Sequence, residues 1–354
     1  MKTRKKVVLT NRVFPETRAL LEAHADIVGN EREEPWPEED LMARCRDAFG
    51  LMAFMTDRID ERFIAACPDL RIVGAALKGY DNIDVEACTR AGVTVTIVPD
   101  LLTIPTAELA IGLMLSLGRN ILAGDAAIRK DGFAGWRPAL YGSGLGGAIV
   151  GILGFGLVGK AIAERLVPFG CRILVADAAP PSIAPALAEN VSLVGMDCVV
   201  AEADYLVLAL PLTAGTTHIV GRAAIARMKP GARIVNPARG SLVDEAAVAD
   251  ALSTGHLAGY AADVFECEDW AREDRPDGID TRLLAATDRT VLTPHIGSAV
   301  AHVRRDIELS AARSIVDALA GRRPLHAVNL PADNFLEIVE NAEPAARKNV
   351  SGGH

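Results

Sequence analysis

Positive charge is the scarcer sign in this chain of 354 residues: 37 Lys and Arg stand against 46 Asp and Glu, a formal net charge of −9. That balance argues against nucleic acid as a partner, because a phosphate backbone is bound by clustered basic residues. Any small anion must be held by a local group of cations working against the overall field. Metal-type cysteine spacing is also missing. Cys45, Cys67, Cys88, Cys171, Cys198 and Cys267 are scattered, with no Cys-x-x-Cys pair. No metal site is therefore expected, and the thiols read as reduced cysteines of a cytoplasmic protein. The start, Met1-Lys-Thr-Arg-Lys-Lys, is basic, but only about four apolar residues follow, too few for a secretory signal. Residues 140–159 hold no charge over 20 positions, but eight of these are Gly, a poor membrane helix. No membrane association is expected, and no internal repeat is visible beyond two similar lobes.

What is present is a soluble-type composition, half hydrophobic and 23% charged, over a length that suggests two domains. The second lobe is built around one stretch. Residues 148–153 form a β-branched apolar run, Gly154-x-Gly156-x-x-Gly159 follows at once, and a helical pattern begins at Lys160. Strand, glycine turn and helix in that order form a dinucleotide fingerprint. The first glycine allows the tight turn, the second lets backbone approach a pyrophosphate, and the third lets helix and strand pack closely. The next strand, 171–176, ends at Asp177. A carboxylate there accepts hydrogen bonds from a ribose 2′-OH and repels a 2′-phosphate. Ala178, Ala179 and Pro180 supply no arginine for that phosphate, so NAD is favoured over NADP.

The rest of the chain alternates strands and helices. Strands are expected at 5–10, 50–55, 71–77 and 93–98, with helices at 15–23, 37–48, 59–67 and 84–91. A crossing at 99–105 leads to one long helix from Thr106 to about Lys130, then to a glycine-rich loop, 131–147, carrying Trp136 and Tyr141. Further strands are expected at 205–210, 232–236, 259–264 and 290–293. A last helix, 299–320, would return the chain to the first lobe. The pattern specifies an α/β protein with two Rossmann-like, doubly wound parallel sheets and an active site in the cleft between them. The division expected is 1–104 plus 303–335 as a discontinuous, flavodoxin-like substrate domain, 105–302 as the NAD domain with an arm, and 336–354 as a loose polar tail.

In open parallel sheets, ligands lie beyond the carboxyl ends of strands. The polar residues expected there are Lys78, Arg239, Asp263, Glu266, Glu268 and His295, with Met55, Pro211 and Ser298 nearby. A histidine suits acid–base work near neutral pH. A neighbouring carboxylate would hold its tautomer, and Glu266 and Glu268 compete for that role. Arginine clamps an oxyanion with two donors, and lysine adds a point charge.

Gly154-x-Gly156-x-x-Gly159, Asn236-Pro237-Ala238-Arg239-Gly240, Asp263-Val-Phe-Glu-Cys-Glu268, Pro294-His295-Ile296-Gly297-Ser298 and Gly79-Tyr-Asp-Asn-Ile-Asp84 together resemble the D-isomer-specific 2-hydroxyacid dehydrogenases, over nearly all of 5–325. The resemblance implies Arg239, Glu268 and His295 as the catalytic set, choosing Glu268 over Glu266. The cofactor contacts expected are Thr106, Gly154, Gly156, Leu157, Val158, Gly159, Asp177, Ala209, Leu210, Pro211, Pro237, Ala238, Arg239, Asp263 and His295. It also implies a homodimer formed through the Thr106 helix and the 131–147 loop.

A narrower resemblance is to the phosphite (phosphonate) dehydrogenases within that family. It is carried by residues 51–55, 76–82 and 98–110, by Gly135-Trp136-Arg-Pro-x-x-Tyr141-Gly, and by 268–276. It implies phosphite as substrate, oxidised to phosphate with NAD. Lys78, Gly79, Met55, Tyr141, Trp136 and Ser298 would surround the substrate, and His295, Arg239 or phosphite itself would take the proton of the attacking water. Ordinary hydroxyacid enzymes typically have no lysine where Lys78 stands. The resemblance departs at Asp177, where the phosphite enzymes have Glu, and is poor over 179–202 and after 330. The alternatives are an NAD-dependent D-2-hydroxyacid dehydrogenase of the glycerate or lactate type and, more remotely, a non-catalytic NAD-sensing corepressor-like protein.

Overall fold

The structure, a computed structural model, describes residues 4–98, 100–179, 182–269 and 272–331. The tail expected at 336–354, the last residues of the substrate domain (332–335), Pro99 and Pro180 lie outside the described residues.

The first sheet comprises β1 (Lys6–Leu9), β2 (Asp26–Gly29), β3 (Gly50–Ala53), β4 (Ile72–Ala75) and β5 (Thr94–Thr96), all parallel, in the order β2-β1-β3-β4-β5. The second comprises β6 (Ile149–Leu153), β7 (Arg172–Ala176), β8 (Val191–Leu193), β9 (Tyr205–Leu208), β10 (Ala232–Asn236), β11 (Leu257–Ala262) and β12 (Thr290–Leu292). Its order is β12-β11-β10-β9-β6-β7-β8, again wholly parallel. Parallel sheets need helices on both faces, and their central strands are accordingly apolar throughout. Leu51, Met52 and Ala53 of β3 and Leu206, Val207 and Leu208 of β9 are fully buried. In each sheet the order reverses beside the first strand, which opens a crevice at that strand's carboxyl end.

β2 and β8 are not among the strands expected from the sequence. Both are edge strands, and β8 exposes Ser192 and Leu193, so neither shows the continuous apolar run of a central strand. The long helix expected from Thr106 is two helices, Thr103–Gly118 and Ile121–Asp131, bent by 58°. Asn120 breaks it, adopting a left-handed φ of 53° and donating through its side chain to the carbonyls of Leu140 and Tyr141. Among the described residues no single helix is long and apolar enough to cross a membrane.

The helix Ala301–Leu319 packs back on the first sheet. Ile307, Ala311, Ala312 and Ile315 are buried with Val7, Leu9, Met52 and Ile72. Beyond it, Val328 N–H donates to the Val95 carbonyl at 2.9 Å, and Ala327 bridges Thr96 in antiparallel fashion. The chain thus leaves the first lobe and re-enters it.

Candidate active site

The glycine turn has the shape a dinucleotide requires. Gly154 has a φ of +91°, and a Cβ there would lie 2.4 Å from the Ala209 carbonyl oxygen. A Cβ on Gly159 would lie 2.2 Å from the Gly154 oxygen, while one on Gly156 would meet nothing within 4 Å. Only the first and third glycines are therefore packed; the second borders open space at the start of the helix Leu157–Leu166. That is where a pyrophosphate meets free backbone N–H groups. Leu157 is exposed and Val158 half-buried on this first turn. Asp177 is fixed beside the turn: its Oδ2 accepts from Phe155 N–H at 2.6 Å and its Oδ1 from Ala179 N–H at 2.9 Å. Ala209, Leu210 and Pro211 leave β9 next to Gly154, and Pro237 and Ala238 leave β10 beyond them. These residues fit NAD as a group.

Arg239, Glu268 and His295 follow β10, β11 and β12. Asn236 shapes the first turn, donating to the Arg239 carbonyl at 2.7 Å and accepting from Ala238 N–H at 3.1 Å. Asp263, fully buried at the end of β11, accepts from the Thr293 hydroxyl and from Ile296 and Gly297 N–H at 2.5–2.8 Å. Burial raises its pKa, and these bonds oppose the rise. Asp263 thereby orders the loop that carries His295. Its carbonyl also takes His295 N–H at 2.8 Å, with His295 at a φ of 53°. Thr106 closes on the same loop, its Oγ1 3.4 Å from the position of a Cβ on Gly297.

The two competing glutamates are separated by geometry. Glu268 Oε2 lies 2.9 Å from His295 Nδ1, while its Oε1 accepts from Phe265 N–H. The pairing leaves His295 Nε2 as the ring atom for a substrate. Glu266 points the other way. It exchanges backbone-to-carboxylate hydrogen bonds with Glu245, and its second oxygen takes His218 Nε2 at 2.7 Å and Arg272 at 3.1 Å. Burial pushes the Glu245 carboxyl up to about 7.

The first lobe meets this set through the loop after β4. Gly79 packs directly on Arg239: a Cβ there would lie 2.0 Å from Nη2. Any side chain would displace the guanidinium. Across the cleft, Arg239 Nε donates to Asp81 Oδ1 at 2.9 Å. Lys78 precedes Gly79 and is half-buried; desolvation lowers its pKa, and Asp100 pulls the other way. Met55 follows β3 and packs partly on that lobe's core. Ser298 follows His295, with its Oγ 3.5 Å from Arg304. Asp81 lies within Gly79-Tyr-Asp-Asn-Ile-Asp84, but the sequence assigns it no role. An acid beside an arginine is informative only once the fold pairs them.

Trp136 and Tyr141 are not brought to this site within one chain. They are 76% and 77% exposed. Their loop is tied to the far end of the Thr103–Gly118 helix, where Ser143 N–H donates to the Gly118 carbonyl and the Ser143 and Tyr205 hydroxyls meet at 2.9 Å. Tyr205 begins β9, so the loop lies at the amino ends of the strands. Along that helix Gly118 is about 18 Å from Thr106.

Comparison with known proteins agrees with this geometry. Residues 111–297 match the model of the D-isomer specific 2-hydroxyacid dehydrogenase NAD-binding domain. A glyoxylate reductase of Pyrococcus furiosus is 36% identical over 329 residues, covering 91% of this chain and 95% of its own. A D-3-phosphoglycerate dehydrogenase of Mycobacterium bovis is 34% identical over 92% of this chain and 58% of its own. The crystal structure of a glyoxylate reductase from Paecilomyes thermophila superposes with a TM-score of 0.77 at 28% identity, covering 93% of this chain and 99% of that one. The chain belongs to the D-isomer-specific 2-hydroxyacid dehydrogenase family, and it is an oxidoreductase whose cofactor is NAD.

Proposed function

We propose that this enzyme oxidises phosphite to phosphate. The observation that carries the reading is the second cation. Phosphite is mostly a dianion near neutral pH. Lys78 stands next to Gly79, on whose backbone the Arg239 guanidinium packs. With Arg239 already paired to Asp81, a second cation on the adjoining loop suits a dianion better than a monoanionic hydroxy acid requires. Asp81 holds Nε of Arg239 and the Ala238 carbonyl takes one N–H of Nη1, so the remaining N–H groups of Nη1 and Nη2 are the donors left for an oxyanion. Met55 packs against the small substrate. His295 Nε2 takes a proton from water while Glu268 holds Nδ1. The oxygen of that water bonds to phosphorus as the P–H hydrogen departs with its electron pair. Bound NAD supplies the hydride acceptor. The sum is phosphite, water and NAD giving phosphate, NADH and a proton.

The second reading, a D-2-hydroxyacid dehydrogenase, is favoured by the names of the relatives, several of which are glyoxylate reductases. It uses Arg239, Glu268 and His295 unchanged and gives Lys78 no special task. A fluorimetric assay of NADH formation with phosphite, D-lactate and D-glycerate, and of NADH consumption with glyoxylate, separates the two. The proposal expects turnover of phosphite above all the others. Turnover of a hydroxy acid with none of phosphite would overturn it, and silence throughout would point to an NAD sensor.

The same reading makes the chain a homodimer. The helix Ile121–Asp131 buries none of its residues, and Ile121, Leu122, Ile128, Phe133, Trp136, Leu140 and Tyr141 are exposed. Such a patch requires cover. Trp136 and Tyr141 would then border the substrate site of the other copy. A single-chain mass in light scattering would contradict this.

A further inference from the structure

We propose that Asn82 is a positioning residue that sets the spacing between the Met55 turn and the Lys78 loop, and thereby the affinity for the anionic substrate. The inference rests on the reading above, in which Met55 and Lys78 face that substrate.

The turn that carries Met55 is closed on itself. Asp57 N–H donates to the Phe54 carbonyl at 3.2 Å, and Asp57 Oδ2 accepts from Phe54 N–H at 2.7 Å and from the Thr10 hydroxyl. Nothing in those bonds ties the turn to the Lys78 loop. Asn82 does. Its Nδ2 donates to the Phe54 carbonyl at 3.1 Å and to the Asp57 carbonyl at 2.7 Å, spanning the turn on both sides of Met55. In return, the Asn82 carbonyl accepts from Ile59 N–H at 3.0 Å, and Asp84 N–H donates to the Ile59 carbonyl at 2.8 Å. Asn82 and Asp57 are each 4% exposed, so water cannot readily replace either contact.

The chemistry of the clamp is one-sided. Two carbonyls face Asn82, so only the NH₂ end of its amide fits them. Its Oδ1 is buried without a hydrogen-bond partner among the described residues. Both donors are therefore engaged on the turn, and aspartate in this place would set a carboxylate against two carbonyl oxygens. Lys78 lies four residues before Asn82, and Gly79 between them packs on Arg239. Loosening the clamp therefore moves Met55 and Lys78 relative to Arg239. None of the side-chain bonds of Asn82 reaches the NAD lobe. A purely structural residue would lower stability alone, whereas this one should also move one kinetic constant and spare the other.

The test compares wild type with Asn82→Asp and the milder Asn82→Ser, whose side chain is too short to span both carbonyls. Steady-state kinetics with phosphite and NAD, NADH binding by fluorescence and melting temperature are measured on each. The expected result is a rise in phosphite KM of about tenfold or more, with NADH affinity within about twofold of wild type. A lower melting temperature with unchanged phosphite KM would overturn the proposal, as would equal changes in the constants for phosphite and NAD. If Asn82→Asp yields no folded protein, Asn82→Ser carries the same expectation. If wild type does not oxidise phosphite, the substrate reading fails on its own. The variants are then assayed with glyoxylate and NADH, where an unchanged glyoxylate KM overturns the clamp.

Discussion

Both sheets present working residues at the carboxyl ends of parallel strands, yet they do so by different means. The seven-stranded lobe holds a long ligand with backbone: a glycine turn, a helix start and strand-end loops braced by buried carboxylates such as Asp263 and Glu266. On the reading proposed above, the five-stranded lobe holds a small anion with two short loops, one carrying Met55 and one Lys78, joined by the Asn82 side-chain amide and by two backbone hydrogen bonds at Ile59. A dinucleotide is bound through its pyrophosphate by backbone, so its site is written in spacing. A substrate of a few atoms is chosen by individual side chains, and those carry no repeating pattern. Cofactor and substrate should therefore respond to separate sets of substitutions, with Arg239 a point where the two lobes touch.

The largest effect is expected at that junction. Arg239→Ala removes the oxyanion clamp and the partner of Asp81, and kcat/KM for phosphite should fall about a thousandfold in an NADH-formation assay. A loss under tenfold would show that Lys78 alone binds and polarises the substrate. Next comes the cofactor lobe by itself. Asp177→Ala removes the acceptor for the ribose hydroxyls and the repulsion of a 2′-phosphate. The KM for NAD should rise about tenfold and the preference over NADP should narrow, with phosphite KM little changed. A matching rise in phosphite KM would dissolve the distinction between the lobes.

The smallest effect compares two buried carboxylates, one per lobe. Burial pushes Asp57 up to about 6 and Glu245 up to about 7. Each binds its proton more tightly in the folded chain than in the unfolded one. Their contribution is fully present below about pH 4 and is lost as pH rises through 6 to 7, on the order of 2–3 kcal/mol each at most. Glu245→Gln keeps an acceptor for Glu266 N–H and cannot ionise. Its melting temperature should fall between pH 5 and pH 8 by about 2–5 °C less than that of wild type. An equal fall in both would show that Glu245 does not titrate in that window.

Much of this fold is legible in the chain because burial on both faces leaves apolar runs, and because the glycine turn sits where strand period changes to helix period. The losses have local causes. β2 and β8 lie at sheet edges and lack such runs. The break at Asn120 depends on contacts with Leu140 and Tyr141, 20 and 21 residues away. The strand-end rule places Lys78 among the candidates, but only the resemblance sets it apart, since a loop lysine has no pattern of its own. Asp81 and Asn82 sit in a recognisable motif, but their tasks exist only through partners at 239 and at 54–57. Trp136 and Tyr141 are singled out only by resemblance, and in the fold they are exposed on a loop tied to the amino ends of the strands.

Lys78 is the residue to which the reading proposed above gives the choice of substrate, from the lobe opposite the cofactor. The most direct test is steady-state kinetics of wild type and Lys78→Ala with phosphite and NAD varied in turn. The expected result is that wild type forms NADH from phosphite and that the substitution raises phosphite KM about tenfold or more while NAD KM stays within about twofold. An unchanged phosphite KM in Lys78→Ala would contradict it.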